Sequence, residues 1–214
     1  MSAIIHIVDY GVGNLYSAAR AIMKMGGDAR ISSDPAEIAA ADRVLLPGVG
    51  AFASCSTALQ TSGLIGPLHS FVATGRPLMG ICAGMQLLFD YSMEFGHHTG
   101  LGLIPGHVDR IAIADARGER KVPHIGWSPL LLPETKPAWA NTVLADATPN
   151  EDAAYFVHSY NCLPDDRSCV LAEADYEGFT ITAAVQHNNV IGLQCHPEKS
   201  GVFGLNVMRN FINL

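Results

Sequence analysis

The sequence predicts an α/β fold: a mixed, mostly parallel open sheet flanked by helices on both faces, with antiparallel strands added in the second half. Three observations predict it. In the first half, short apolar runs alternate with stretches of helical spacing, the pattern of crossover units on a parallel sheet. From about Leu101 the texture changes to short, proline-punctuated strands. The 214 residues, 49% hydrophobic and 15% charged, supply a sizeable core and too little charge for a disordered chain, so 1–214 is expected to be one domain.

The first run, "IIHIVD", reads as a strand. Asn14 to Met25 carries Leu15, Ala18, Ala19, Ile22 and Met25 at helical spacing, and two glycines follow as a stop. "RVLLPG" reads as a second buried strand and Leu64 to Thr74 as a helix. "RPLMGIC" then reads as a strand and "AGMQLLFDYS" as the helix after it. Beyond Leu101 the clearest strands are "KVPHIGWSPLLLP" and "AAYFVHSYNCLP", while Asp109 to Val122 reads as a solvated loop or hairpin. "FTITAAVQHNNVIGLQCHPE" is a hairpin turning near Asn188 and Asn189, and Phe203 to Ile212 is an amphipathic helix. With no repeat or long linker between the halves, the second is expected to extend the same sheet.

Thirteen basic against twenty acidic residues give a formal charge of −7, which argues against a nucleic-acid partner. The start has no basic region, and its apolar run of about five residues falls short of the ~7–15 of a signal core. No stretch approaches the ~18 apolar residues of a membrane span. The expectation is a cytoplasmic protein with no membrane contact. Five cysteines, Cys55, Cys82, Cys162, Cys169 and Cys195, are odd in number and form no C-x-x-C pair. Neither a zinc ribbon nor a disulfide framework is indicated, and no metal or cofactor is expected.

Chemistry concentrates in two places. Strand, then G-x-C-x-G, then helix, over Gly80, Cys82 and Gly84, is the cysteine form of a nucleophile elbow. The glycines permit a turn that exposes the sulfur, and the helix behind it directs free N–H groups and its dipole toward a thiolate or an oxyanion. A base comes from "CHPEKS", Cys195 to Ser200. On extended backbone, His196 and Glu198 share a face, and Pro197 between them favours that conformation. Cys195, next to His196, points to the opposite face and is expected in the core.

With those residues in hand, "GICAGMQLLF" and "GLQCHPEKSG" resemble the triad-type, or class I, glutamine amidotransferases. Within that class "VDYGVGNLYS", "LPGVGAF", "PHIGW" and "YFVHSY" resemble the glutaminase subunits of imidazole glycerol phosphate synthases. The likeness runs from Asp9 to the C-terminal helix. It implies that Cys82 attacks the side-chain amide carbon of L-glutamine, that His196 passes a proton to the departing ammonia, and that Glu198 fixes the imidazole. A γ-glutamyl thioester forms and is hydrolysed to glutamate. The backbone N–H groups of Ala83 and Val49 would meet the oxyanion. Gly50, Gln86, Glu94, His158, Ser159 and Tyr160 would line the glutamine site.

The resemblance also implies a partner, a separate (β/α)₈-barrel cyclase subunit that consumes the ammonia in histidine biosynthesis. Asn14, Trp127 and Lys199 are the candidates for the docking face of that heterodimer, Trp127 as an exposed aromatic anchor. Val49 lies between Gly48 and Gly50, so its peptides rotate at low steric cost, and weak activity alone with stimulation by the loaded partner is expected. Ser128 stands where relatives often carry Asn, and Cys195 where an aromatic is frequent. Two other readings remain at this point: a glutaminase of a related amidation system such as surface-sugar modification, and a silent regulatory subunit.

Overall fold

The structure is a computed structural model and describes residues 3–115 and 118–214. The first half alternates strand and helix in the predicted way. Strands β1 (Ile4–Val8), β2 (Asp28–Ser32), β3 (Arg43–Gly48) and β4 (Leu78–Cys82) are joined by helices α1 (Leu15–Lys24), α2 (Pro35–Ala40), α3 (Phe52–Thr61) and α4 (Ile65–Val72). All four strands pair in parallel. Their side chains alternate between two cores because successive residues point to opposite faces. Ile5, Ile7, Leu45 and Met79 pack with Ile22 of α1, and Val8, Val44, Leu46 and Leu78 pack with Phe52, Leu68 and Phe71 of α3 and α4. Three of these elements, β2, α2 and α3, are absent from the sequence reading. β2 carries polar residues at a sheet edge, and α2 is short and held at its start by the Asp34 carboxylate accepting from the Ala36 N–H.

The helix expected over "AGMQLLFDYS" is one turn long, α5 (Ala83–Gln86), and the chain then becomes strand β5 (Phe89–Ser92). Pairing overrides helical spacing there: Phe89 and Tyr91 sit opposite Ile104 and His107 of β7 (Ile104–Arg110), across which β6 (His98–Thr99) pairs the other edge of β5. The segment Asp109 to Val122 holds the end of β7 and a short antiparallel pair, β8 (Ala114–Asp115) and β9 (Gly118–Glu119); residues 116–117 lie outside the described residues.

The remaining strands are β10 (His124–Pro129), β11 (Ala153–His158), β12 (Tyr160–Pro164), β13 (Val170–Tyr176), β14 (Phe179–His187) and β15 (Val190–Leu193). The hairpin β14–β15 turns at Asn188 and Asn189 and, with β13, extends the main sheet to the order β13-β14-β15-β4-β3-β1-β2. The other additions do not extend it. β12-β7-β5-β6 is a second sheet and β10-β11 a two-stranded ribbon. Helix α6 (Gly201–Asn213) closes the α1 face through Phe203, Val207, Met208 and Phe211. β4 therefore lies at the centre of the sheet, between β3 and β15, with its C-terminal end beside the ends of both.

Candidate active site

Cys82 ends β4 in a strained backbone conformation, φ 55° and ψ −115°. The chain reverses there so tightly that its glycines have no room for side chains. A Cβ on Gly84 would stand 2.0 Å from the Leu46 carbonyl oxygen, and one on Gly80 would stand 2.6 Å from the Gly84 oxygen. The elbow read from the sequence is present, but its helix is not long. One turn of α5 supplies its own free N–H groups and little macrodipole, so electrostatic help for the sulfur must come from side chains.

His196 and Glu198 provide it. His196 is buried, its N–H donates to Tyr155 O at 2.9 Å, and its Nδ1 lies 2.8 Å from Glu198 Oε1. Burial by itself pushes the imidazole down. The interactions with Cys82 and with the Glu198 carboxylate outweigh it and raise His196 to about 9. The backbone reason for the His–Glu contact differs from the expected one: Pro197–Lys199 is a 3₁₀ turn, not extended chain, and the turn brings the two side chains together. Ser200 pins it, donating from Oγ to His196 O at 2.7 Å and accepting from Tyr155 N at 3.0 Å. Cys195 faces the core as expected, and burial holds its thiol well above the ordinary range.

Beside Cys82 is a cavity of about 320 Å³, within the range of small-molecule sites. Gly50, Ala83, Gln86, Glu94, His158, Ser159 and Tyr160 all line it with Cys82, so every residue expected at the glutamine site reaches one space. Gln86, Glu94 and His158 carry structural bonds as well: Gln86 Nε2 donates to Gln194 Oε1 at 3.1 Å. Glu94 Oε2 accepts from the Phe52 N–H at 2.5 Å, and His158 Nδ1 donates to Tyr160 O at 2.8 Å. Burial lowers His158 to about 3 and His124, 3.1 Å away, to about 4, so this pair is neutral at ordinary pH. Val49 sits at the end of β3 with its side chain 41% exposed, its carbonyl accepting from Cys55 Sγ at 3.5 Å, and Gly50 after it at φ +98°.

Asn14 borders a small space shared with Val49, His196 and Glu198. Trp127 is 55% exposed, edge-on to Tyr155 with ring centroids 6.0 Å apart, and Lys199 Nζ lies 5.9 Å above the same ring. Ser128 belongs elsewhere. It is buried, and its Oγ lies 3.0 Å from His124 Nε2, so it supports the cavity wall and not the exposed face. Sequence reasoning missed His124, Gln194 and Cys55. The signal for the first was period-two alternation in "HIGWSP", which sends His124, Gly126 and Ser128 inward and Ile125 and Trp127 out.

A cysteine elbow at the centre of this sheet, a His–Glu pair just past the end of the neighbouring strand and a cavity beside the cysteine are the layout of a triad-type amidotransferase. The chain belongs to the class I glutamine amidotransferase family, whose model, described as glutamine amidotransferase class-I, matches residues 6–214. Its sequence is 45% identical over 207 residues to imidazole glycerol phosphate synthase subunit HisH of Syntrophotalea carbinolica, covering 96% of this chain and 97% of that protein. To subunit HisH of Geobacter sulfurreducens it is 43% identical, with 97% of each chain covered. Among solved structures, PurLQS from Thermotoga maritima superposes with a TM-score of 0.72 at 20% identity, over 100% of this chain and 99% of the other. A crystal structure of a glutamine amidotransferase gives 0.72 at 15% identity, over 98% and 97%. These last two speak for the fold alone.

Proposed function

We propose that this chain is a glutaminase subunit, a single amidotransferase domain over 1–214, which hydrolyses L-glutamine to glutamate and ammonia for imidazole glycerol phosphate synthesis. The observation that carries the reading is the His196 imidazole in contact with both Cys82 and Glu198, while Cys82 opens onto a cavity lined by all the expected glutamine-site residues. The thiolate attacks the amide carbon of glutamine, and the tetrahedral oxyanion takes hydrogen bonds from the Ala83 and Val49 N–H groups. His196, held protonated by its two neighbours, gives its proton to the leaving nitrogen, which departs as ammonia. The neutral imidazole then takes a proton from water, and the resulting hydroxide equivalent attacks the γ-glutamyl thioester. Cys82 leaves as thiolate, and glutamate is released. Glu198 keeps the imidazole in the tautomer this shuttle needs. No cofactor is required.

Ammonia is captured by protons in neutral water, so release is useful only beside a consumer. The relatives' names speak of a synthase subunit, and the partner we assign is a (β/α)₈-barrel cyclase forming a heterodimer in the cytoplasm. Its docking face comprises Asn14, Trp127 and Lys199. Exposed Tyr16, Met23, Ile125 and Val202 add apolar surface, and Arg20, Lys24 and Lys199 line an open groove reaching Glu198. Among the described residues no helix is long and apolar enough to cross a membrane.

The test is glutamate release by the chain with and without a barrel cyclase subunit loaded with its nucleotide. Stimulation is expected. Cys82→Ala in the complex removes glutamine-dependent synthesis and leaves ammonia-dependent synthesis intact. A Cys82→Ala complex that still uses glutamine defeats the reading.

A further inference from the structure

Gln194 follows β15, is completely buried, and has no part in the mechanism above. Its side chain lies between Gln86 and the nucleophile. Gln86 Nε2 donates to Gln194 Oε1 at 3.1 Å, and Gln194 Nε2 donates to Cys82 Sγ at 3.8 Å. One carbonyl decides the orientation of both amides. Tyr160 C=O can only accept, and it stands 3.5 Å from the terminal nitrogen of Gln86, where an oxygen would oppose it. Gln86 therefore turns its NH₂ group toward Tyr160 and Gln194. Gln194 answers with its oxygen, and its own NH₂ group is left facing the sulfur. The Tyr160 carbonyl is itself held by His158 Nδ1 at 2.8 Å, and His158 by His124, so the whole row is anchored.

A neutral thiol is a weak acceptor, and an N–H donor facing it gains little. The same donor facing a thiolate makes a charge-assisted bond, in a place where water does not compete. The arrangement therefore favours the state in which the proton has left Cys82 Sγ for the imidazole of His196. It does so again when the thioester C–S bond breaks and the electron pair returns to sulfur. We propose that Gln194 is a further catalytic residue, whose side-chain N–H holds the Cys82 thiolate through both halves of the reaction. The proposal rests on the glutaminase reading for its chemistry, but its geometry stands on Gln194, Gln86 and Tyr160.

Alkylation of Cys82 by iodoacetamide, followed residue by residue through peptide masses across a pH series on the full chain, separates the two. Gln194→Met keeps the volume and removes the donor, and Gln194→Glu sets a carboxylate oxygen against the sulfur. Expected is a Cys82 alkylation profile displaced to higher pH in Gln194→Met, with a rate roughly tenfold lower on the acid side of the curve, and a larger displacement in Gln194→Glu. A residue that merely fills space would change the melting temperature and leave the profile where it was. If Gln194→Met does not fold, Gln194→Asn keeps an amide one methylene too short to reach and is expected to show the same displacement. Wild-type profiles in the folded variants overturn the assignment. Wild-type Cys82 labelled no faster than the four other cysteines would instead overturn the glutaminase reading.

Discussion

At the scale of single residues, the site rests on opposite treatments of three histidines. His196 is raised to about 9 by its interactions with Cys82 and the Glu198 carboxylate, so its contribution to stability is complete below about pH 6.5 and is lost as pH rises through about 9. The span corresponds to at most roughly 3 kcal/mol. His124 and His158 lie at about 4 and about 3 because they are buried, so their contribution is complete above about pH 6.5 and is lost as pH falls toward those values. Unfolding free energy measured by denaturant titration should therefore decline on both sides of neutrality. His196→Gln should flatten the alkaline limb, and His124→Gln should lessen the acid limb by about 1.4 kcal/mol per pH unit. Unchanged limbs in both variants would contradict the assigned charges. Cys82, His196 and Glu198 were legible in the sequence because each sits in a short local motif. Gln194 and His124 were not, since an amide or imidazole becomes part of a site only when the fold decides which neighbour it meets.

At the scale of elements, the elbow is a steric device, and its glycines separate by what surrounds them. Gly84→Ala would drive a methyl group into the Leu46 carbonyl, backbone that cannot yield without parting β3 from β4. A loss of about 3 to 5 kcal/mol in unfolding free energy is expected, in the range of severe core substitutions. Gly66→Ala, inside α4 with nothing near the added methyl, should instead gain up to about 1 kcal/mol. Thermal or chemical unfolding of the two variants checks the contrast, and equal effects would remove the steric account. The same crowding explains why local reading succeeded at β4 and failed just past it. Glycine spacing announced the turn, but the length of α5 depends on β7, a partner strand that only the tertiary fold supplies to β5. Likewise the hairpin at Asn188 was visible locally, whereas β10–β11 looked like more of the main sheet until pairing assigned it a ribbon of its own.

At the scale of the whole molecule, the ribbon β10–β11 joins two surfaces with different tasks. Its inward His158 lines the cavity beside Cys82, with His124 bonded behind it, while its outward Ile125 and Trp127 are exposed, and Lys199, one residue beyond Glu198 in the 3₁₀ turn, shares the Tyr155 ring with Trp127. A partner docked on Trp127 as proposed would press on the strand and the turn that carry His158 and Glu198, and Val49, the proposed oxyanion donor, borders one small space with Asn14 and Glu198. On this reading docking and activation are one event, and loss of the anchor should lower affinity without altering the isolated chain. Trp127→Ala is expected to weaken cyclase binding by about 30-fold, equivalent to an interface hot spot of roughly 2 kcal/mol. Basal glutamate release should stay at the wild-type value, and full stimulation should return when cyclase is raised by the same factor. Titration of glutamate release against cyclase reads all three quantities. A variant with unchanged half-saturation places the interface elsewhere. One that binds weakly and also stays unstimulated at saturation makes Trp127 part of the switch itself, and docking and activation then become separable steps.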